Sequence, residues 1–199
     1  MVKKLKIFNN FNIPNKFKKS IILIGNFDGL HSGHQKLFEL AKKYKTKYKS
    51  KIGVVTFDPI PKMFFNTKIK NYRISNFNQK VIYLKKFGVD FVINKKFDKN
   101  FSKISYYKFI KDILSKKLRS KFIFVSNNFR FGHKREGDVA LLKKHEKDFG
   151  YNLINPTPLI KNKEIISSTI IRKLLEEGKL LEANTFLKRN WEIEGKVQR

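Results

Sequence analysis

The feature that most constrains the fold is the alternation of short apolar runs with helical patterns. The first run, at 21–24, reads Ile-Ile-Leu-Ile, and similar runs follow at 52–57, 89–93, 122–125 and 153–154. Between the runs, apolar residues recur at three- and four-residue spacing, which predicts helices. These helices are expected at 33–48, 81–87, 106–118, 138–149, 167–177 and 180–187. Apolar strands that alternate with helices are typical of α/β proteins with a doubly wound parallel sheet.

The first junction between a strand and a helix is the strongest candidate site, because doubly wound sheets bind ligands at the carboxyl ends of their strands. Residues 25–34 read Gly-Asn-Phe-Asp-Gly-Leu-His-Ser-Gly-His and hold two of the four histidines, His31 and His34. The glycines allow close backbone approach to a ligand, and a helix start offers free N–H groups to a phosphate. A glycine-rich turn with two surface histidines is the alternative. The other histidines, His133 and His145, carry no motif and are expected at the surface.

Composition excludes several classes of protein. The chain has no cysteine, which excludes disulfides, zinc–thiolate sites and cysteine nucleophiles. No apolar run approaches the ~18 residues of a membrane span, and the start lacks the apolar segment of a signal peptide. We therefore expect a cytoplasmic protein with no membrane partner. Its 199 residues are enough for one domain with its own core.

The formal net charge of +29 leaves two interpretations open. A strongly basic chain is typical of nucleic-acid binders, and an RNA-associated protein is one alternative. However, only seven of the 45 basic residues are arginine, the better reader of phosphates and bases. The abundant Lys, Asn, Ile and Phe are residues of A/T-rich codons. We favour compositional drift with a solvated lysine surface, and we do not expect a nucleic-acid partner.

Four segments resemble a known family. A strand followed by Gly-x-Phe-Asp-Gly and His-x-Gly-His is similar to the signature of the nucleotidyltransferase superfamily, and residues 25–35 resemble one family within it closely. That family is the bacterial FAD synthases, the FMN adenylyltransferase module of the bifunctional riboflavin kinase/FMN adenylyltransferase. The further matches are Thr-Phe-Asp-Pro-Ile-Pro at 56–61, Asn-Asn-Phe-Arg-Phe-Gly at 127–132 and Ile-Ser-Ser-Thr-Ile-Ile-Arg at 166–172. Ile60 replaces the usual His of the family, and Ser126 replaces a Gly.

The resemblance implies a Rossmann-like nucleotidyltransferase fold and the reaction ATP + FMN → FAD + pyrophosphate. The FMN phosphate attacks the α-phosphorus, so no protein nucleophile is needed. Mg²⁺ is expected to arrive bound to ATP. By resemblance, the residues that contact the ATP phosphates are His31, His34, Ser168, Thr169 and Arg172. The other ATP-binding residues are Gly25, Asn26, Phe27, Asp28 and Gly33, and the flavin-side residues are Phe65, Phe109, Asn128 and Phe131.

Without the resemblance, several of these residues have plainer interpretations. The serines and threonine at 167–169 are of the kind that caps a helix, and Arg172 fits a solvated helix face. Asp28 fits a turn or a helix cap. In a chain with 20 phenylalanines, each flavin-side phenylalanine also fits the core.

The resemblance also divides the chain. Residues 1–185 match the adenylyltransferase domain, and residues 186–199 resemble the linker and first strand of the riboflavin kinase domain. The kinase motif Gly-Phe-Pro-Thr-Ala-Asn does not occur among the 199 residues. We therefore expect no riboflavin kinase activity from this chain, and a separate riboflavin kinase is one candidate source of FMN. An inactive remnant of the bifunctional enzyme is a further alternative.

Overall fold

A computed structural model describes residues 5–69, 72–161 and 164–195. The described strands are β1 (Lys6–Phe8), β2 (Ile21–Ile24), β3 (Ile52–Asp58), β4 (Phe91–Lys96), β5 (Phe122–Phe124), β6 (Arg130–Phe131), β7 (Gly137–Asp138), β8 (Asn152–Ile154), β9 (Ile160–Lys161) and β10 (Glu164–Ile165). Six of them form one parallel sheet in the order β1-β4-β3-β2-β5-β8, and β6–β7 and β9–β10 are antiparallel pairs. The prediction of a parallel α/β sheet is confirmed.

The order of the strands reverses at the centre of the sheet. The chain moves from β2 outward to β3 and β4, and then crosses to the other side of β2 to form β5 and β8. β2 is buried along its whole length and pairs with both β3 and β5. The carboxyl ends of β2 and β5 therefore border the crevice in which such sheets bind ligands.

The described helices cover both faces of the sheet. They are α1 (Ser32–Tyr48), α2 (Pro61–Phe65), α3 (Phe77–Lys86), α4 (Lys99–Ser102), α5 (Tyr106–Lys108), α6 (Val139–Lys144), α7 (Glu146–Phe149), α8 (Ser168–Glu176) and α9 (Leu180–Leu187). α5 continues into a π-helical segment, Phe109–Lys117, and single 3-10 turns lie at Asn15–Phe17 and His133–Arg135. α3 begins with a capping box, in which the side chains of Asn76 and Gln79 each accept a hydrogen bond from the other's backbone N–H.

Three apolar clusters hold these layers together. Side chains alternate across a strand, so Ile22 and Ile24 of β2 join the cluster on one face, while Ile21 and Leu23 join the cluster on the other. A third cluster packs α8 and α9 against the segment before α3, and its members include Ile74, Ile171, Leu174, Ala183 and Leu187. This cluster fixes where α8 lies relative to β2.

The predicted elements differ from the structure in a few places. The strand expected at 89–93 is Phe91–Lys96, because pairing with β3 extends as far as Asp58 opposite Lys96 and holds three polar residues in the sheet. The helix expected at 138–149 breaks at His145, whose backbone (φ −93°, ψ 8°) is not helical. Hydrophobic periodicity also missed β1, α4, both antiparallel pairs and the short α2, which has proline at its start.

The last described residues pack against the domain. The predicted boundary after residue 185 falls inside α9, and Leu187 is fully buried in the third cluster. Trp191 donates from its indole N–H to the carbonyl of Ile74 at 2.8 Å. The assignment of 186–199 as the start of a second domain remains a prediction, and 196–199 lie outside the described residues.

No helix in the described ranges is long and apolar enough to cross a membrane.

Candidate active site

The loop between β2 and α1 lies at the reversal of strand order and has a tightly constrained backbone. Phe27, Gly29 and Leu30 all have positive φ angles, of 46°, 75° and 44°. A Cβ on Gly29 would lie 2.9 Å from Cγ2 of Ile74, so only glycine fits there. Phe27 and Leu30 are buried and anchor the loop to the core. The loop is therefore held in one shape by packing.

His31 and His34 stand together at the start of α1. Their rings stack, with centroids 3.7 Å apart and an interplanar angle of 25°. His31 is only 5% exposed, and the Nδ1 atoms of both rings are buried without a hydrogen-bond partner in the part of the chain that the structure describes. An unsatisfied buried polar atom costs about 1–3 kcal/mol. Two of them side by side indicate a site that is completed by a ligand.

Both imidazoles are uncharged at neutral pH. Burial, and then the positive charges of Arg172 and Arg189, lowers the pKa of His31 to about 4. Burial, followed by His31 and Lys80, holds the pKa of His34 well below its usual value. A neutral imidazole has one N–H donor and one acceptor nitrogen. The pair is therefore suited to donate hydrogen bonds to an anion rather than to form ion pairs with it.

The start of α8 meets the same loop from the other side. Ser167 caps α8, and the Ser168 hydroxyl donates to the carbonyl of Asp28 at 2.9 Å. A Cβ on Gly33 would lie 3.4 Å from the carbonyl oxygen of Ile166, so the starts of α1 and α8 are close neighbours. Each helix start carries free N–H groups and the positive end of a helix dipole. The site thus combines two positive helix ends with two neutral imidazoles.

Arg172 is placed by Asp28 and Tyr72. One Nη of Arg172 donates to the Asp28 carboxylate at 2.7 Å, and Nε donates to the Tyr72 carbonyl at 2.8 Å. The guanidinium also stacks on the Tyr72 ring, 3.7 Å from its centroid. The Asp28 carboxylate is 2% exposed and accepts further bonds from the backbone N–H groups of Ile74 and Ser75. The interpretations of Asp28 as a simple turn residue and of Arg172 as a solvated side chain are therefore wrong.

Comparison with known proteins decides the family. The family model described as FAD synthetase matches residues 13–170. The chain belongs to the FAD synthetase family. The resemblance that the sequence motifs indicated is thereby confirmed, and so is the nucleotidyltransferase-like fold.

Curated relatives and a solved structure agree with the family. A bifunctional riboflavin kinase/FMN adenylyltransferase of Buchnera aphidicola (from Acyrthosiphon pisum) is 41% identical over 186 residues, covering 94% of this chain and 59% of the relative. The Escherichia coli K12 protein of that name is 35% identical, covering 89% and 56%. A FAD synthetase of Listeria monocytogenes is 31% identical, covering 93% and 75%. This family member thus spans less than two thirds of the length of the bifunctional relatives.

A crystal structure described as a macrolide-efflux protein from Streptococcus pneumoniae superimposes with a TM-score of 0.82 at 26% identity. The likeness covers 94% of this family member and 72% of that chain. The fold of the two chains is therefore shared over nearly the whole of the shorter one.

Lys80 is a component of the site that the sequence reasoning missed. It lies on α3, is 5% exposed, and donates from Nζ to the carbonyl of Asn26 at 2.8 Å and to the Thr56 hydroxyl at 3.4 Å. The available signal was its position four residues before the buried Leu84, on the core-facing side of the helix. Among so many lysines in the sequence, that position did not distinguish it.

The flavin-side residues fall into two groups. Phe65 is 70% exposed on α2, and Asn128 is exposed beside a surface cavity of about 280 Å³ after β5. Phe109 and Phe131 are buried in the core, with ring centroids 5.3 Å apart. Burial favours the interpretation of these two as core residues, and their contact with flavin remains a prediction. The structure does not bring all four together as one exposed surface.

The remaining predicted residues lie in or beside the loop. Thr169 is exposed in the first turn of α8, and Gly25 lies under the Phe27 ring, which a Cβ would meet at 3.3 Å. Ile60, which departs from the family pattern, is buried directly before α2. Within the described ranges, no group of three or more His, Asp or Glu side chains is placed to hold a metal ion.

Proposed function

We propose that this chain transfers the adenylyl group of ATP to FMN and releases FAD and pyrophosphate. The observation that carries the proposal is the stacked pair His31 and His34 between the starts of α1 and α8. Both rings are uncharged, and both Nδ1 atoms are buried without a partner among the described residues. Membership of the FAD synthetase family and the names of the relatives support it.

The reaction needs no protein nucleophile. An oxygen of the FMN phosphate attacks the α-phosphorus of ATP and forms the new P–O bond. The bond from that phosphorus to the bridging oxygen breaks, and its electron pair leaves with pyrophosphate. Catalysis then consists of aligning two anionic substrates and stabilising the negative charge that develops on the phosphate oxygens.

The proposed site supplies donors for that charge. His31 and His34 donate N–H groups to phosphate oxygens, together with the first-turn N–H groups of α1 and α8. Thr169 contributes an exposed hydroxyl at the start of α8, and the Ser168 hydroxyl can donate to a phosphate oxygen in place of the Asp28 carbonyl. Arg172 has five N–H groups and uses two of them within the described chain, so the others are available to a phosphate.

The loop around these residues completes the ATP site. Gly25 and Gly33 let the rings of Phe27 and His31 pack against the backbone of the proposed ATP site, while Asn26, Phe27 and Asp28 hold the loop in shape. Mg²⁺ is proposed to enter with ATP and to keep several water ligands. Phe65 and Asn128 are the exposed candidates for flavin contact. The proposal includes a cytoplasmic location, where ATP is available as the adenylyl donor.

The test is an assay of the purified chain with ATP, Mg²⁺ and FMN, in which FAD and pyrophosphate are quantified. The double variant His31→Asn/His34→Asn is the inactive comparison. The matched control is His145→Asn, because His145 lies between α6 and α7 and contacts Asp148, away from the loop. We expect FAD from the wild type and the control. Failure of the wild type to form FAD above a reaction without protein would refute the proposal.

A second arm replaces FMN with riboflavin. No FMN is expected, because the kinase motif is missing from these 199 residues. Phosphorylation of riboflavin would contradict that expectation without affecting the adenylyltransferase proposal.

A further inference from the structure

The buried ammonium of Lys80 lies directly beneath the nucleotide loop. Its Nζ donates to the carbonyl of Asn26, the second residue after β2, and to the hydroxyl of Thr56 on β3. Lys80 therefore joins the carboxyl ends of β2 and β3, beside the reversal of strand order. The titratable and charged groups that face it are His34 from α1, Asp28 from the loop, Asp58 from β3, and Arg73 from the segment before α3.

The neighbouring charges are already paired with each other. Asp28 forms an ion pair with Arg172, and Asp58 forms one with Arg73. His34 is uncharged. Within the ranges that the structure describes, no carboxylate oxygen lies within 4 Å of the Lys80 Nζ. Lys80 thus contributes a buried positive charge that has no direct ion pair among the described residues.

A buried ammonium without a direct ion pair is unfavourable, because it has lost its hydration. Burial is the main cause that lowers the pKa of Lys80 to about 8. Asp28 and Asp58 oppose that shift, and Arg73 adds to it. An anion that arrives at the loop would improve the electrostatic environment of this ammonium. The buried ammonium lowers the stability of the protein without ligand. The simplest explanation for its position is that it interacts with a bound anion.

We propose that Lys80 is a further determinant of nucleotide binding: its ammonium supplies buried positive charge to the ATP triphosphate and positions the loop through Asn26. The inference rests on the proposed function, because it deepens the same site. Lys80 is a positioning residue, since it acts through the Asn26 carbonyl and through its field. The proposal requires the charged form of Lys80 for tight binding of ATP.

The experiment measures ATP binding without FMN, by calorimetric titration of the Mg²⁺ complex at pH 7 and pH 9. Lys80→Met keeps the length of the side chain and removes its charge. Lys85→Met is the matched control, because Lys85 lies on the same helix and is exposed. We expect the affinity of the wild type and the control for ATP to fall by up to about tenfold from pH 7 to pH 9. The reason is that a smaller fraction of the protein then carries the protonated Lys80 that binding requires. Lys80→Met should bind at least about tenfold more weakly at pH 7 and show no further loss at pH 9.

Wild-type affinity in Lys80→Met, or the same loss at pH 9 in that variant, would overturn the proposal. Thermal unfolding checks that the variant is folded, which we expect because an apolar side chain often replaces a buried charge without loss of stability.

A second measurement needs no variant. At pH 8.5, ATP binding to the wild type should take up roughly half a proton or more, read from the binding enthalpy in buffers of different ionisation enthalpy.

Absence of proton uptake would also overturn the proposal. The two proposals fail separately. ATP binding that depends on Lys80 without any FAD formation would refute only the adenylyltransferase function. FAD formation together with ATP binding that is unchanged in Lys80→Met would refute only this inference.

Discussion

The Asp28 carboxylate and the Arg172 guanidinium lie 2.7 Å apart and connect positions separated by 144 residues in the sequence. One residue belongs to the loop after β2 and the other to α8. Asp28 also accepts bonds from the backbone N–H of Ile74, whose carbonyl accepts the indole N–H of Trp191. The ion pair therefore connects the loop before α1 to α8. The hydrogen bond from Trp191 to Ile74 connects the last described residues to the same region.

Arg172→Lys is expected to weaken both the fold and the handling of ATP. Lysine keeps the charge, but its single ammonium cannot reproduce the planar contacts to Asp28 and to the Tyr72 carbonyl. Because the paired carboxylate is buried, we expect a loss of about 1–3 kcal/mol in the free energy of unfolding. We also expect a fall of about tenfold or more in kcat/KM for ATP. Denaturant unfolding and steady-state kinetics at fixed salt measure the two effects.

The matched control is Lys173→Arg, one residue along the same helix. Lys173 is 75% exposed, and its one ion pair with a described side chain is to Glu177, at 3.8 Å. Its replacement should leave the free energy of unfolding and kcat/KM for ATP unchanged. Wild-type values for Arg172→Lys as well would mean that neither the paired hydrogen bonds to Asp28 and the Tyr72 carbonyl nor the stacking on the Tyr72 ring matters.

Replacement of His31 or His34 by asparagine is expected to reduce turnover by ~10²-fold, comparable to the loss of one donor of an oxyanion hole. Circular dichroism should show an intact fold, because neither Nδ1 makes a hydrogen bond within the described chain. Near-normal turnover in the double variant would exclude a catalytic role for the pair.

The stability of the protein should decrease as the pH falls from 6.5 to about 4. The pKa of His31 is lowered to about 4 in the folded protein and is near 6.5 in the unfolded chain. In this window the unfolded chain binds a proton that the folded protein excludes, so protonation favours unfolding. His31 alone should contribute about 3 kcal/mol of this loss, at 1.36 kcal/mol for each pKa unit. The stabilisation is fully present above pH 6.5.

Urea unfolding at pH 7 and pH 4.5 provides the measurement. Carboxylates also titrate in this range, so the informative quantity is the difference between wild type and His31→Asn. The variant should have the smaller dependence on pH. An equal dependence in both proteins would show that His31 is not kept neutral by burial.

Gly33→Ala tests how tightly His31 is placed. A Cβ at this position would lie 3.1 Å from the Nδ1 of His31, so the ring must move by a few tenths of an ångström. We expect kcat to fall by roughly tenfold, because small displacements of a catalytic group are costly. Gly195→Ala is the control, since its Cβ would meet nothing within 4 Å. Full activity in Gly33→Ala would mean that the ring position is not critical.

The sequence alone determined the class of the fold, the family, and the junction in which the histidines lie. Apolar runs, helical spacing and the 25–35 motif are local, because each depends on residues close together in the chain. The strand at 21–24 and the helix that begins beside His31 and His34 appear where the pattern predicts them. Family membership follows from four such local motifs in the right order.

Only the tertiary structure decided how the site is built. The pairing of Asp28 with Arg172, the neutrality of the two histidines and the burial of Phe109 depend on distant segments packed together. Lys80 shows the same limit: it is one basic residue among 45, and nothing in its local sequence marks it as a buried cation. Burial and charge pairing are properties of neighbours in space. Packing of the first cluster buries Phe109, and packing of the third cluster, which joins α8 to the segment before α3, brings Arg172 to Asp28.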